Sequence, residues 1–509
     1  MLKSHLRTKL DEMPGSLSII RRLDPIVLLM LSILAVASPP QVLMAPVRAL
    51  TSQGLSTAPP SFPSVTMTTV GGGFETSVAV NPKNPMNVIV TGCCVEPSSE
   101  NDSFGIASVS SDGGRTWRNT NSTFTYVSSV VKSGWGFADP VGTFDADGTA
   151  YIGTVLFTAT GDYLFKSTDN GNTFTLSSPF FKTSDDLLDY QTGAIVHLCQ
   201  SETEQDFPAV IADPYGTSPY KNNVYVYVRV AAQIDPYTCF FGQAFERSTD
   251  GGKTWGAGVW FGGPYSGIAS DFSLSNSRGM AVAPDGTFFL TGPTSRGALV
   301  LKTTDGGASF QREMVHLAPI QPNDVEVAAV SSSNIFVVFY GGDPVNGFHL
   351  YSVFSVDGGS IWSSPARIDD VISPDRSHVA SAGGPDMWDF SLSPRTGRLD
   401  VAWFDNRYNG GNYTLADLYY SYSFDGLSWV PNVRLTPDGP YFVCTRSAGR
   451  GCTFNGNDFM WVASSYTRDG SRVYIAASMG KVPCSDFSTA LYTRFVTIAL
   501  SPVLQHRST

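Results

Sequence analysis

The sequence predicts an all-β fold, a β-propeller of four-stranded blades, and three observations carry that prediction. A short motif of the form Ser-x-Asp-x-Gly-x-Thr-Trp/Phe occurs six times between residues 110 and 429, each copy following an alternating apolar run. Charged residues reach only 15%, against the usual quarter, whereas Gly and Pro supply 49 and 32 positions, a balance suited to many tight turns. Short strand-like runs fall between the motifs at regular spacing, as repeated hairpins require.

The motif copies are Ser110-Ser111-Asp112-Gly113-Gly114-Arg115-Thr116-Trp117, Ser167-Thr168-Asp169-Asn170-Gly171-Asn172-Thr173-Phe174 and Ser248-Thr249-Asp250-Gly251-Gly252-Lys253-Thr254-Trp255. Three looser copies are Thr303-Thr304-Asp305-Gly306-Gly307-Ala308-Ser309-Phe310, Ser355-Val356-Asp357-Gly358-Gly359-Ser360-Ile361-Trp362 and the shorter Ser423-Phe424-Asp425-Gly426-Leu427-Ser428-Trp429. An Asp side chain accepts hydrogen bonds from amides just downstream, and Gly takes positive φ without a Cβ clash, so the Asp-x-Gly core predicts a hairpin turn. The closing Trp or Phe starts the outgoing strand with a large apolar side chain suited to packing between sheets. Local turn chemistry explains every position, which assigns these Asp residues to structure rather than catalysis.

Each blade is then readable in order. The first opens at Glu75-Thr76-Ser77-Val78-Ala79-Val80 and continues through Asn87 to Val90 and Ile106 to Val109; the second opens at Asp139-Pro140 and the third at Asp206-Phe207-Pro208. Further units begin near Gly279, Val325 and Phe390, and a seventh, from Phe459 to Ile498, carries no motif and lacks a fourth strand. A closed ring needs every edge paired, so the missing strand is expected from the segment around Ser64 to Val70. The count favours seven blades, with six as the alternative if the last unit completes the first.

Upstream, Pro25 to Ala37 is a short apolar run behind Arg21-Arg22 with small residues before Ser38, the layout of a secretory signal, or of an anchor if it is retained. The expected divisions are 1–37 as signal or anchor, 38–66 as a Pro/Ser/Thr-rich linker, 67–500 as the propeller and 501–509 as a tail. This layout implies a secreted or extracellular protein, tethered to a membrane where the run is kept. Seven Cys fit export; Cys199 with Cys239 and Cys444 with Cys452 are candidate pairs, and no spacing suggests a metal. A formal charge of −11 argues against nucleic acid as a partner. Nothing in the sequence calls for a cofactor.

The six motifs resemble the Asp-box, or bacterial neuraminidase repeat, of the sialidase superfamily, and the resemblance runs from about residue 70 to 500. Glu75-Thr76-Ser77-Val78-Ala79-Val80-Asn81-Pro82, Trp403-Phe404-Asp405-Asn406-Arg407 and Asn432-Val433-Arg434-Leu435-Thr436 are similar to bacterial secreted proteins of the sialidase-like kind. Asp-boxes also occur in xyloglucan hydrolases, sortilin-type receptors and photosystem assembly factors. The resemblance implies an extracellular glycoside hydrolase of the exo-α-sialidase type acting on glycans or glycoproteins. Such enzymes clamp the substrate carboxylate with three arginines and use a Tyr nucleophile with a Glu and an Asp acid/base. Their first arginine lies in a Phe/Tyr-Arg-Ile-Pro motif on the first inner strand; here Gly71 to Ser77 contains no Arg, so the motif is not matched. The alternative is a non-catalytic propeller that binds carbohydrate or protein.

Inner strands border the axis of a propeller, and their openings here are acidic. Glu75, Asp139, Asp206 and Asp389 are therefore the candidate catalytic carboxylates, alongside Asp324, Asp386 and Asp458. Each also fits a role capping amides at its own strand start. Tyr408, with Tyr419 and Tyr420 as alternatives, is the candidate nucleophile, and no neighbouring Glu singles one out. Arg407, Arg278 and Arg229 are candidate carboxylate-binding cations, with Trp403 as an apolar face and Asp405 beside them; an Asp405–Arg407 salt bridge is the structural alternative.

Overall fold

In a computed structural model of the chain, seven sheets, antiparallel except for one parallel pairing in the third, follow one another around an axis among the described residues. These residues are 64–71, 74–93, 107–120, 137–156, 162–182, 185–199, 206–235, 238–262, 279–343, 347–371, 388–393, 396–405, 407, 415–442, 445–446, 452–453, 462–467, 471–479 and 492–499. Contacts divide the chain into Met1–Ser61, outside the described residues, and Phe62–Thr509, which holds all the sheets.

Six sheets rest on a four-strand path and the third is enlarged to six strands. The inner strands, in blade order, are Phe74–Val80, Phe137–Phe144, Asp206–Ala212, Met280–Val282, Gln321–Ala329, Trp388–Ser393 and Val462–Tyr466. Each touches the next and the last touches the first, so the ring closes. Seven apolar clusters match this count, one at each seam. The second strands are the most apolar, as in Val224–Asp235 and Ile335–Asp343, because both of their faces are covered by neighbouring sheets.

Closure occurs as the edge argument predicts. Ser64–Gly71 pairs antiparallel with Tyr492–Ala499, from Ser64 opposite Ala499 to Thr69 opposite Arg494, and supplies the outer strand of blade 7. The strand begins at Ser64, within the stretch 38–66. The last unit therefore completes its own blade, not the first.

Blade 3 departs from the four-strand expectation. Asp186–Asp189 runs parallel to its outer strand Gly258–Trp260, and Ile195–Leu198 hydrogen-bonds both to Asp186–Asp189 and to the second strand, Val224–Asp235. The Cys199–Cys239 disulfide fastens this added hairpin to the start of the third strand. In blade 6 a fifth strand, Tyr441–Phe442, joins Leu415–Ser423, and a short hairpin of Thr445–Arg446 with Cys452–Thr453 follows; Cys444 lies outside the described residues.

All six motifs form the turn between third and fourth strands. In the first, Asp112 Oδ1 accepts from the amides of Arg115 and Thr116, and Oδ2 from Thr116 Oγ1 at 2.6 Å. Ser110 Oγ donates to Asp112 Oδ1 and accepts from Gly114 N. The fifth copy has Ile361 in place of Thr, so only Oδ1 of Asp357 is engaged by that residue, through its amide. Each turn also packs on the preceding blade. A Cβ on Gly114 would lie 2.1 Å from Phe495 of blade 7, and one on Gly252 would lie 2.3 Å from Leu164 of blade 2. The motif is thus a seam element, and its absence from blade 7 leaves only the seam between blades 6 and 7 without one. There the second strand of blade 6 instead buries the ion pair of Arg398 Nε with Asp400, joined by Tyr420 OH.

Candidate functional site

Strand direction fixes two faces. The third strand of each blade runs parallel to the inner one, so the Asp-box turns lie where inner strands finish, and the opposite face carries the inner-strand openings. At these openings four strands lose register by one residue. Glu75-Thr76 is the extra pair in blade 1, between Phe74 and Ser77; Asp139-Pro140 in blade 2, between Ala138 and Val141; Phe207-Pro208 in blade 3, between Asp206 and Ala209. Blade 5 breaks between Pro322 and Asp324. A bulge turns side chains away from the regular pleat and is common beside functional sites.

The bulge of blade 2 is held from blade 1. Thr91 Oγ1 donates to the carbonyl of Pro140, Ser77 Oγ shares a 2.6 Å hydrogen bond with Thr91 Oγ1, and the Gly142 amide donates to Ser77 Oγ at 2.9 Å. Backbone groups displaced from the ladder are thereby satisfied. Asp139 is buried and takes φ of 50°, an uncommon conformation that Asp tolerates better than most residues. Asp324 is buried, and its Oδ1 accepts from the Val325 amide.

The sequence candidates divide as follows. Glu75, Asp139 and Asp206 open the inner strands of blades 1, 2 and 3, and Asp389 opens that of blade 6, all on one face; the side chains of Glu75, Asp206 and Asp389 are not among the described ones. Arg229 lies on the second strand of blade 3, its Cα paired with Asp206. Arg278, Tyr408, Asp386 and Asp458 fall outside the described residues.

Arg407, Asp405 and Trp403 occupy a different place, the outer part of the seam between blades 5 and 6. Arg407 Nε and Nη2 donate to Asp405 Oδ2 at 2.9 and 2.6 Å, Nη1 donates to Asp370 Oδ1, and Nη2 also reaches Asn432 Oδ1 at 3.2 Å. Its guanidinium stacks over Tyr419, 4.3 Å from the ring centre. Trp403 is completely buried, stacks on Tyr419 and donates Nε1 to Asp405 Oδ2. The expected apolar face is therefore a core residue, because its strand position points into the seam. The structural alternative of an Asp405–Arg407 salt bridge is the observed one, and Arg229, on blade 3, is not brought to it.

Along the axis, inner strands of six blades line a cavity of about 270 Å³ that includes Ser77, Thr143, Met280, Ser464 and one carboxylate, Glu326. At its box-side end Tyr215 OH and Tyr466 OH meet at 3.1 Å, joining blade 3 to blade 7 across the axis. The sequence analysis missed Glu326 and the tyrosine pair. Strand alternation was the available signal, since Glu326 interrupts the apolar run Val325 to Val330 at an axis-facing position.

It also missed Glu246, on the third strand of blade 3. This residue is 2% exposed, accepts from the Phe181 amide at 3.3 Å, and is pushed up to about 8 by burial. It lies at a cleft between blades 2 and 3 that Lys182, Asp185, Asp186, Lys253 and Trp255 also line. The residues two places before each motif are Ser108, Phe165, Glu246, Leu301, Val353 and Ser421, so the lone ionisable one was legible by aligning the copies. Among the described residues no group of three or more His, Cys, Asp or Glu could hold a metal ion.

No protein-family profile matches the sequence, and no curated protein matches it. Solved structures do. The chain is similar to a protein of unknown function from Dyadobacter fermentans at 12% identity and a TM-score of 0.42, covering 86% of this chain and 100% of that one. It is similar to the GH74 xyloglucanase of Xanthomonas campestris at 17% identity and 0.44, covering 84% and 55%. It is also similar to the Trypanosoma rangeli sialidase at 10% identity and 0.40, covering 86% and 60%. No residue role follows from these likenesses.

Proposed function

We propose that this sialidase-like Asp-box propeller is an exported carbohydrate-binding protein that recognises an extracellular glycan at the mouth where its inner strands begin, without cleaving it. The observation that carries the reading is the repeated register break at acidic openings, at Glu75, Asp139, Asp206 and Asp324. Carboxylates at such a mouth would provide acceptors for the hydroxyls of a sugar, and a pocket with several convergent polar groups is sufficient for binding. Binding rather than turnover is favoured because the acidic-sugar clamp lacks its parts: residues 71–77 hold no Arg, and Arg407 is occupied by Asp405 and Asp370.

One observation favours hydrolysis as a second reading. Asp139 is a buried carboxylate in a strained conformation, and strain gathers at active sites. A glycosidase would need it paired with a second carboxylate about 5 to 9 Å away, for which Glu75, Asp206 and Asp389 are the candidates, or a Tyr-Glu pair involving Tyr408. The test is a glycan panel that includes sialosides and xyloglucan oligosaccharides. Retention without product, weakened in Asp139→Asn, supports binding. Product formation abolished by the same substitution establishes hydrolysis. Neither retention nor product would overturn both readings.

A further inference from the structure

The cleft between blades 2 and 3 encloses about 490 Å³, and its ionisable groups are sorted by depth. Glu246 is buried, Asp185 is half-buried, and Lys182 and Lys253 are exposed, so an acidic floor lies under a basic rim. Glu246 Oε2 accepts from the amide of Phe181, which takes φ of 46°, rare for a bulky side chain. Capping that amide accounts for one oxygen only. Oε1 has no hydrogen-bond partner among the described residues, yet it is not sealed from solvent. Gly258 leaves it room, since a Cβ there would stand 3.2 Å from Oε1 and 2.4 Å from Leu187. A carboxylate oxygen at the bottom of a cavity is costly to ionise without a donor, and a guest can bring one.

We propose that this cleft binds a small organic ligand by a primary ammonium group seated on Glu246 Oε1, with the rest of the ligand directed to the lysines at the rim. Asp185 adds negative charge beside Glu246 and is fixed in the wall, its Oδ2 accepting from the Lys182 amide at 3.0 Å. Trp255 lines the same cleft, its ring 5.4 Å from that of Phe180, and an aromatic ring beside a carboxylate suits an ammonium. Asp185, Asp186 and Glu246 do not group closely enough to hold a metal ion, so the cation is an organic one. Lys182 and Lys253 add a modest preference for a ligand whose far end is anionic, because exposed ion pairs are weak. Ser178 and Gly258 belong to the outer strands of blades 2 and 3, so the site is separate from the axial mouth and independent of the glycan reading. Burial keeps the empty carboxyl protonated up to about 8, so a seated ammonium displaces that proton to solvent and binding strengthens as pH rises. The other charged groups facing the cleft are Lys182 and Asp185, Lys253 on the box turn, and Asp186, which pairs with His197 at 2.6 Å. His197 is the control among them, because histidine changes charge in the same range.

The experiment is isothermal titration calorimetry of the full chain with hexylamine, 6-aminohexanoate and hexanoate at pH 6 and pH 8, each in two buffers of different ionisation heat. Both amines should bind and hexanoate should not, with 6-aminohexanoate tighter than hexylamine by about threefold. Affinity for the amines should rise at least tenfold from pH 6 to pH 8, with a proton released to the buffer at pH 6. Glu246→Gln, shown to be folded by its thermal transition, should lower amine affinity at least tenfold at pH 8 and abolish the proton release. His197→Gln should keep both, and Asp139→Asn at the axial mouth should match wild type. Hexanoate binding as tightly as hexylamine, amine affinity that survives Glu246→Gln, a pH dependence that disappears with His197, or no binding of any of the three overturns the proposal.

Discussion

Lys166 Nζ donates to the carbonyl of Gly251 at 3.2 Å, joining the residue just before one Asp-box to the first glycine of the next. The relation repeats around the ring. Arg247 Nη1 reaches Gly306 at 2.7 Å and Lys302 Nζ reaches Gly358 at 3.0 Å, each from the position before its own box. The carbonyl of a tight turn has no ladder partner, and a cation from the preceding blade satisfies it. Lys166→Met and Lys302→Met should each cost about 1 kcal/mol, and the two should add because they lie in different seams. Urea unfolding of the single and double variants reads this; an unchanged midpoint in the double variant would remove the staple from the account of blade packing.

Turn glycines divide into those that need only their backbone and those that also need the space. Gly114 has φ of 86°, and a Cβ there would collide with the Phe495 ring, whereas Gly193 has φ of 67° with nothing within 4 Å. Gly193→Ala should therefore cost about 1 kcal/mol from backbone strain alone. Gly114→Ala should cost roughly 3 kcal/mol or more, since a packed seam must also shift. Equal losses in the two variants would show that the close approach at Phe495 relaxes freely.

Much of this ring was legible because the box is a local device whose residues announce their own geometry. Asp112, Gly114 and Thr116 specify a turn without reference to the rest of the chain, and six copies mark six of the seven blades. The closing strand at Ser64 followed from a deficit, a last unit one strand short. Trp403 and Arg407 were harder. Their motif reads as a loop beside an inner strand, but whether a side chain faces axis or seam depends on strand parity and on Asp370, 37 residues earlier in the chain. The added hairpin at Asp186–Asp189 and Ile195–Leu198 turns at Asp189 to Gly193, outside the repeated motif, and its parallel pairing with Gly258–Trp260 is a long-range contact.

The box carboxylates should set the acid limit of the fold. Burial raises the pKa of Asp112, but hydrogen bonds from the side chain and amide of Thr116, from Ser110 and from the Arg115 amide outweigh it and hold the group at about 2; Asp250 is held there in the same way. A folded-state pKa below the usual carboxylate value means that stability is present above about pH 4 and is lost as pH falls towards 2. Asp112→Asn with Asp250→Asn should lower stability at pH 6 and flatten its decline between pH 4 and pH 2. A parallel decline in wild type and variant, followed by tryptophan fluorescence, would place the acid sensitivity elsewhere.

Arg407 should behave as a structural cation. Asp405 is fully buried and receives Arg407 twice, so truncation leaves a buried carboxylate without its counter-charge. Arg407→Ala should cost about 3 to 5 kcal/mol, the range for breaking a buried pair from one side. Arg407→Ala/Asp405→Leu should recover most of that loss. Glycan retention, measured on the double variant at a temperature where it is folded, should match wild type; a specific loss of acidic glycans would return Arg407 to the binding surface.

Glu246 should make the protein less stable as the solution becomes alkaline. Its carboxyl is pushed up to about 8 by burial, helped by the negative charge of Asp185 and opposed by the Phe181 amide and Lys182. In the unfolded chain the group ionises near 4.5, so above that pH the unfolded state gains charge that the folded state resists. The stability fully present below pH 4.5 is then lost progressively until the folded group ionises near 8, a change of about 3 kcal/mol between pH 5 and pH 8. Glu246→Gln, which keeps the acceptor for Phe181 without the charge, should remove most of this slope and be more stable than wild type at pH 8. Urea midpoints at pH 5 and pH 8 decide the matter, and equal pH dependence in both proteins would mean that the seam between blades 2 and 3 admits enough water to solvate the carboxylate.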